Sequence, residues 1–546
     1  MNLIKLLKRE SDIAAAPFVF MAITAAIAEA FVLGIIIAVA NTASSDLLNF
    51  RYLMMYAIAF CIAMIGKRYT LVKAATVTEK MIRNIRERIA RKIRSCELVF
   101  LENMSIGDLY TQITQNTGLI SMLALLLISG VQSCVMVFFC LIYLFTLSKL
   151  AFALTGLTII VTFAMYSYHD RIFSQDFQKA VVVEGQFCTM LDDTLSGFKE
   201  LKMSRARNRE HLEFLASIID ESEKINTKTQ VSFITKTLFT QICFYMLLAA
   251  VGFLMPRLGE GYSELIIRIT AAILFIMGPI FMIVSAIPQL FKVNASIETL
   301  YNLEEQLDRA SGPEEQAPAR KIGAFESVRF KDVVFHYRDL EGTPLFTLGP
   351  VNLTLRSGEI LFIVGGNGSG KTTLLKLLTG LYAPDSGQIR IDGKPLTRPS
   401  YPAYREMISA IFSDFHLFER LYGMDDLDEE KANELLERMD IHTKTEIKDK
   451  QFSKINLSTG QKKRIAMVVA LLEDRPIYAF DEWAADQDPE FKDYFYEVLL
   501  KDLKQKGKTS IVISHDDRYF DHADRLLKME FGQFVNDERE TTETHG

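Results

Sequence analysis

Long runs without charge dominate the first 300 residues. In Ile13–Ser45 the one charged residue is Glu29, and Tyr52–Gly66 has none. Leu109–Ser148 runs for 40 residues without a charge, and Leu150–Ser167, Thr237–Pro256 and Ile269–Phe291 are also uncharged. A helix crosses a bilayer with about 20 mostly apolar residues, so the pattern predicts six spans, at about 13–41, 50–70, 118–147, 150–168, 235–256 and 268–291. The polar start of the third run, Tyr110–Thr117, is expected outside the bilayer. The first run is longer than the apolar part of a signal peptide and shows no cleavage site, so it reads as an uncleaved anchor.

Lys and Arg set the orientation of such a chain. Lys67–Arg94 holds ten of them against Glu79 and Glu87, whereas the connection Asn41–Phe50 holds only Asp46. The N-terminus and the charged stretches 67–94 and 170–236 therefore belong on the cytoplasmic side. Ile82, Ile85, Ile89 and Ile93 recur at helical spacing in the first of these stretches. This reads as a helix running out of the membrane, with a basic helix on the membrane surface as the alternative.

The pattern changes after the sixth run. Asp308–Lys321 is rich in Pro, Ala, Gly and charge, which marks a linker over 306–325. From 326 to 546 short β-type runs such as Ile360–Val364, Ile477–Phe480 and Thr509–Ile513 alternate with helical stretches, the signature of a covered parallel sheet. The organisation is thus a helical membrane domain with cytoplasmic extensions over 1–305, a linker, and an α/β domain.

Composition fits this division. The 546 residues are 49% hydrophobic and 23% charged, a mixture that excludes a disordered chain. The net charge of −6 gives no global pull toward nucleic acid. Cys61, Cys96, Cys134, Cys140, Cys188 and Cys243 all lie in the first half without paired spacing, so metal and disulfide frameworks both look poor and buried free thiols are expected.

The chemistry lies in the second half. Gly365, Gly366, Asn367, Gly368, Ser369, Gly370, Lys371 and Thr372 follow an apolar strand and precede a helical run that begins at Thr373, which is counted with them among the nucleotide-binding residues. This is the context of a phosphate loop: glycines let backbone N–H groups close on phosphate oxygens at a helix N-terminus. Lys371 is placed to reach the β- and γ-phosphates, and Thr372 offers a hydroxyl to Mg²⁺. The run Ile477–Phe480 ends in Asp481 and Glu482, which suit a Mg²⁺ ligand and a base that polarises the attacking water. Alone these motifs call for a nucleotide and Mg²⁺; many NTPase classes share them.

Asn456–Arg464, NLSTGQKKR, resembles the signature of ABC ATPases, with Thr459 at the third position. By that resemblance Leu457, Ser458, Thr459, Gly460 and Gln461 would act in trans, on the γ-phosphate held by a second subunit. His515, after the strand 509–513, matches the family's switch histidine. Tyr337 matches the aromatic that stacks on adenine; sheet packing is its other reading. Asp488 matches the acid of the D-loop. The whole chain then looks like an ABC exporter half-transporter, with six spans and one nucleotide-binding domain. DEWAADQDPEF, LSTGQKKR, LSGFKELKM and GKTSIVISHDDRYFDHADRLLKM are similar to the cyclic-peptide and siderophore exporters, a group that includes the pyoverdine and microcin J exporters. Most ABC domains carry a Gln that touches Mg²⁺; here Ser413 stands in its place. Only 43 residues separate Ser413 from Leu457, which implies a small helical subdomain.

The resemblance implies a homodimer in the bacterial inner membrane, surrounded by lipid, that exports a peptide or siderophore at the cost of ATP. A lipid or drug flippase shares every motif. A non-transporting regulatory ATPase is less consistent with the presence of both Glu482 and His515, and import does not fit the exporter-type fusion of the two halves. Only a dozen residues without cysteine precede the first apolar run, so a leader-cleaving domain is not expected there. Glu29, charged inside a span, reads either as a cavity-facing carboxylate or as a group near the outer interface or bonded to a neighbouring span.

Overall fold

The computed structural model describes residues 15–42, 50–104, 106–168, 170–258, 263–311, 325–339 and 343–535. They form two compact units. One comprises 1–89 and 110–303, the other 90–109 and 304–546.

The first unit is helical. Its long elements are Ala15–Thr42, Phe50–Ser95, Ile106–Leu147, Lys149–Tyr168, Asp170–Ser196, Arg205–Ala249 and Ser263–Arg309. Among the described residues four helical stretches are long and apolar enough to cross a membrane: Phe50–Ser95, Ile128–Leu147, Arg205–Leu254 and Leu265–Arg309. Ile23–Ile36 and Lys149–Met165 are shorter apolar stretches at the places expected for the first and fourth spans. Met136, Cys140, Leu144, Phe244, Val251, Ile273 and Ile276 form the largest apolar cluster here. Elsewhere small residues set the packing. A side chain on Gly66 would come within 3.0 Å of Ala25 Cβ, so the helices Ala15–Thr42 and Phe50–Ser95 are in close contact at this point.

The helix Phe50–Ser95 extends well beyond its apolar part, and Met81, Ile82, Ile85 and Ile89 are buried along it. The isoleucine periodicity is thus a core stripe on a helix that continues past its apolar part. Helix Ser263–Arg309 likewise continues past residue 306, where the linker was expected to begin. Leu300, Leu303 and Leu307 are buried at helical spacing and sustain it; the rest of the expected linker lies mostly outside the described residues. The cysteines carry no disulfide, but the expectation that they are buried holds only for Cys140; Cys61 and Cys134 are exposed, and the other three are intermediate.

The second unit holds two sheets. In the six-stranded sheet the order is Gln533–Val535, Arg525–Glu530, Ile360–Gly365, Thr509–Ile513, Ile477–Asp481, Ile408–Ile411. All its pairings are parallel except that of the edge strand Gln533–Val535. Every residue of Ile477–Asp481 and Thr509–Ile513 is buried, as continuous apolar runs in a covered parallel sheet require. The four-stranded antiparallel sheet, ordered Pro344–Arg356, Ser327–Arg338, Ser386–Ile391, Lys394–Pro395, was not foreseen. Its long strands alternate between buried and exposed positions, a weaker signal than a continuous run. Between Ser413 and Leu457 the chain forms one α-helix, Glu429–Arg438, and a short hairpin, so the subdomain is as small as its length implied.

The connection 90–109 clusters with the α/β domain and not with the helical unit. Leu98 and Val99 of its short helix pack against the sheet core. Glu102 pairs with Lys376 at 2.7 Å and accepts the Tyr382 hydroxyl, and Glu97 pairs with Arg398.

Candidate nucleotide site

The phosphate loop leaves the carboxyl end of strand Ile360–Gly365 and enters helix Lys371–Leu378. Two glycines are required by geometry. Gly365 has φ +155° and a Cβ there would lie 2.3 Å from the Met529 carbonyl oxygen; Gly370 has φ +98° and would strike the Phe346 ring. Gly366, Asn367 and Gly368 are exposed. Lys371 curls back so that its Nζ donates to the carbonyl oxygens of Gly365 and Gly366, each at 3.0 Å. Ser369 Oγ is buried without a hydrogen-bond partner. An orphan hydroxyl and an ammonium resting on backbone oxygens, in a loop that excludes side chains, suit a bound polyphosphate. Burial pushes the Lys371 pKa down against the pull of Glu482 and Asp481, and phosphate charge would favour the ammonium form.

Three oxygens converge beside this loop. Thr372 Oγ1 donates to Asp481 Oδ2 at 3.0 Å and Ser413 Oγ donates to the same oxygen at 3.2 Å. Burial raises the Asp481 pKa more than these two hydrogen bonds lower it. An all-oxygen set with one carboxylate in reach of the phosphate loop suits Mg²⁺, which keeps water and binds through few protein ligands. Ser413, though shorter than Gln, reaches the same carboxylate as Thr372.

Glu482 follows Asp481 in the left-handed conformation, with φ +51° and ψ +34°, rare for a residue with a side chain. Its N–H donates to the Ile513 carbonyl at 3.1 Å, tying it to the neighbouring strand. Its Oε1 is 2.9 Å from His515 Nε2. A cavity of about 310 Å³ opens beside the pair, lined by Glu482, Lys492, Tyr496, Ser514, His515 and Asp516 among others. The sheet thus brings together Lys371, Thr372, Asp481, Glu482, His515 and Ser413.

The signature residues sit at a helix start. Ser458 caps helix Thr459–Glu473, accepting from Gln461 N at 3.4 Å, while Gln461 Oε1 accepts from Ser458 N at 3.2 Å. This capping box satisfies otherwise unpaired N–H groups and leaves Ser458 and Thr459 exposed. Thr459 has room for its side chain, but Gly460 does not: a Cβ there would lie 2.6 Å from the Asp486 carbonyl oxygen. Leu457 packs against the domain core. Asp488 caps helix Pro489–Asp493 through Phe491 N at 2.9 Å and pairs with Arg464. Tyr337 packs partly against the antiparallel sheet, its hydroxyl 3.4 Å from Asn103 Oδ1. In the helical unit Glu29 Oε1 accepts from Lys67 Nζ at 3.2 Å, so the neighbouring-span reading of Glu29 describes its contact.

Sequence reasoning missed Glu102 and Asn103, at the end of the short helix Leu98–Glu102 and without a motif, and Lys463. Lys463 left a readable trace, because it lies at helical spacing with the buried Met467 and Ala470 and so falls on the inner face of its helix.

A helical membrane unit, a phosphate loop, an acid-ended strand and a capped signature helix define an ATP-binding cassette transporter. Residues 348–485 match the ABC transporter model and residues 13–280 the ABC transporter transmembrane region. The chain is 34% identical over 480 residues to the ATP-binding protein SyrD of Pseudomonas syringae pv. syringae, covering 85% of this chain and 84% of that protein. It is 26% identical over 488 residues to an ATP-dependent lipid A-core flippase of Alkalilimnicola ehrlichii, covering 84% and 80%. Its fold matches the structure of a bacterial Atm1-family ABC exporter with ATP bound, at a TM-score of 0.77 and 18% identity over 97% of this chain and 95% of that one. The chain belongs to the ABC transporter family, as an exporter half-transporter that binds and hydrolyses ATP.

Proposed function

We propose that the chain forms a homodimer in the bacterial inner membrane and exports a peptide- or siderophore-type cargo. The homodimer rests on one observation: Ser458 is exposed, and both hydrogen bonds of its capping box stay within its own helix start. Its hydroxyl, which accepts from Gln461 N, keeps its own proton available to a nucleotide on another subunit. A closed two-fold pairing would supply two composite sites.

In each site Ser369, Lys371 and the loop N–H groups bind the ATP phosphates. Thr372 and Asp481 would hold Mg²⁺, with Ser413 bonded to the same carboxylate, and the ion would neutralise charge developing on the transferred phosphoryl group. Glu482 accepts the proton of the attacking water, and His515 fixes the carboxylate that receives it. Glu482→Gln should retain ATP binding and lose steady-state hydrolysis by roughly a hundredfold or more. Near-parental ATPase in that variant would remove Glu482 from the role of base.

The cargo reading is supported by the DEWAADQDPEF and LSGFKELKM stretches. Comparing secreted metabolites with and without the gene tests it: loss of a peptide or siderophore supports it. A lipid cargo is the second reading, favoured by the similarity to lipid A-core flippases over 84% of the chain. ATPase stimulated by lipid A-core, but by no exported peptide, would favour the lipid.

A further inference from the structure

Behind the base lies a buried ammonium that none of the roles above uses. Lys463, on helix Thr459–Glu473, is 3% exposed. Its Nζ donates to the Glu482 carbonyl oxygen at 2.8 Å and pairs with Asp486 Oδ2 at 2.7 Å. The Lys463 carbonyl in turn accepts Trp483 Nε1 at 2.8 Å, and Trp483 is buried. One side chain thus grips the turn Glu482–Asp486 at both ends. Further polar contacts join the helix to the turn and the residue after it. Gly460 lies against the Asp486 carbonyl, Gln487 Nε2 donates to the Gly460 carbonyl at 3.0 Å, and Arg464 Nε donates to Gln487 Oε1 at 2.9 Å.

Glu482 needs such a grip. It occupies left-handed backbone space without being glycine, and residues persist there only when their surroundings hold them. Its N–H donates to the Ile513 carbonyl, and its C=O accepts from Lys463 Nζ at 2.8 Å and from Ala485 N at 3.2 Å, so both peptide units flanking its Cα are held. A buried ammonium is costly unless paired and hydrogen-bonded, and here both partners belong to the turn that carries the base.

We propose that Lys463 is a positioning residue for hydrolysis: it fixes the backbone of Glu482, and with it the carboxylate, to the signature helix. The inference rests on Glu482 as the base. In the homodimer proposed above, Ser458 serves one nucleotide and Glu482 the other. Movement of the signature helix on one nucleotide is then transmitted through Lys463 to the base at the second.

The test uses the full-length chain reconstituted in lipid nanodiscs, with steady-state ATPase, equilibrium Mg·ATP binding and thermal unfolding measured on each variant. Lys463→Met keeps the length of the side chain and removes both contacts, and the half-exposed Asp486 can turn to water. The kcat should fall roughly tenfold to a hundredfold, the penalty expected when a reacting group is misplaced by about an ångström. ATP affinity and KM should stay within about threefold of parental, since the phosphate loop is untouched. Lys463→Gln, which retains one donor, should recover part of the kcat, and Asp486→Ala combined with Lys463→Met should lose little beyond Lys463→Met alone. If Lys463→Met does not fold, Lys463→Gln and Asp486→Ala carry the same kcat-against-KM comparison. Parental kcat in a folded Lys463→Met, or a loss of ATP affinity equal to the loss of kcat, would overturn the proposal. Glu482→Gln is measured alongside: if it stays active, the base reading has failed; if it is dead while Lys463→Met is parental, only the positioning role has.

Discussion

The two units use the same apolar residue types in opposite ways. In the α/β unit the large side chains point inward: Phe362, Phe480 and Phe495 are fully buried, and Trp483 is 1% exposed. In the helical unit Phe20, Leu157, Ile160 and Ile267 are exposed, while Thr70, Thr117, Thr155 and Thr240 are wholly buried and Ala25 and Gly66 mark a helix crossing. Water drives large apolar groups into a core, whereas lipid is as apolar as leucine and leaves close packing and hydrogen bonds to hold helices together. A buried threonine can bond its own helix, as Thr70 does to the Gly66 carbonyl at 2.6 Å and Thr240 to the Lys236 carbonyl at 3.0 Å.

One pair of substitutions breaks this comparison if it is wrong. Phe480→Ala should destabilise the α/β domain by about 3–5 kcal/mol, the usual cost of emptying a full aromatic site. Ile160→Ala, made on a side chain 67% exposed, should shift unfolding in nanodiscs by less than about 0.5 kcal/mol, as for an outward site without special contacts. Equal losses from the two, in thermal or chemical unfolding, would mean that Ile160 packs against protein.

The contrast also explains what could be read in advance. In the α/β half the continuous runs Ile360–Val364 and Ile477–Phe480 are short, β-rich and bounded by turn or acidic residues, which favours buried strands, and the residues after them then fall at the carboxyl edge of the sheet. That is why the phosphate loop, Asp481, Glu482 and His515 were legible together. In the membrane half every run is apolar all round, so its length marks a helix while its inner face stays hidden. Glu29 was visible as a charge, but its partner Lys67, 38 residues away, was not. For Lys463 only the burial was legible, from its spacing to Met467 and Ala470; its role was not, because it depends on a turn some twenty residues later in the chain. The antiparallel sheet, half exposed and alternating, gave too weak a signal against the strong parallel one.

Smaller effects sharpen the same contrast. Glu29→Gln replaces the ion pair with Lys67 by a neutral contact. If Glu29 braces Lys67, export at equal expression should be unchanged; reduced export with intact basal ATPase would make Glu29 a cargo-facing carboxylate. Ser413→Ala removes one of two hydroxyls on Asp481, and Thr372 remains. ATP affinity should change by only a few fold, as the loss of a single hydrogen bond suggests, while stimulation of ATPase by cargo weakens. A large loss of affinity with stimulation intact would instead make Ser413 a direct ligand.

The central claim is that each ATP is handled by two chains, with Lys371 from one and Ser458 from the other. The most direct test is a mixed dimer measured for cargo-stimulated ATPase. With Ser458→Arg in one subunit and Lys371→Ala in the other, both lesions fall in the same composite site and one intact site remains. With both changes in one subunit, each site carries a lesion. The account predicts clear residual ATPase in the split arrangement and almost none when the changes share a chain. Equal activity in the two arrangements would contradict it.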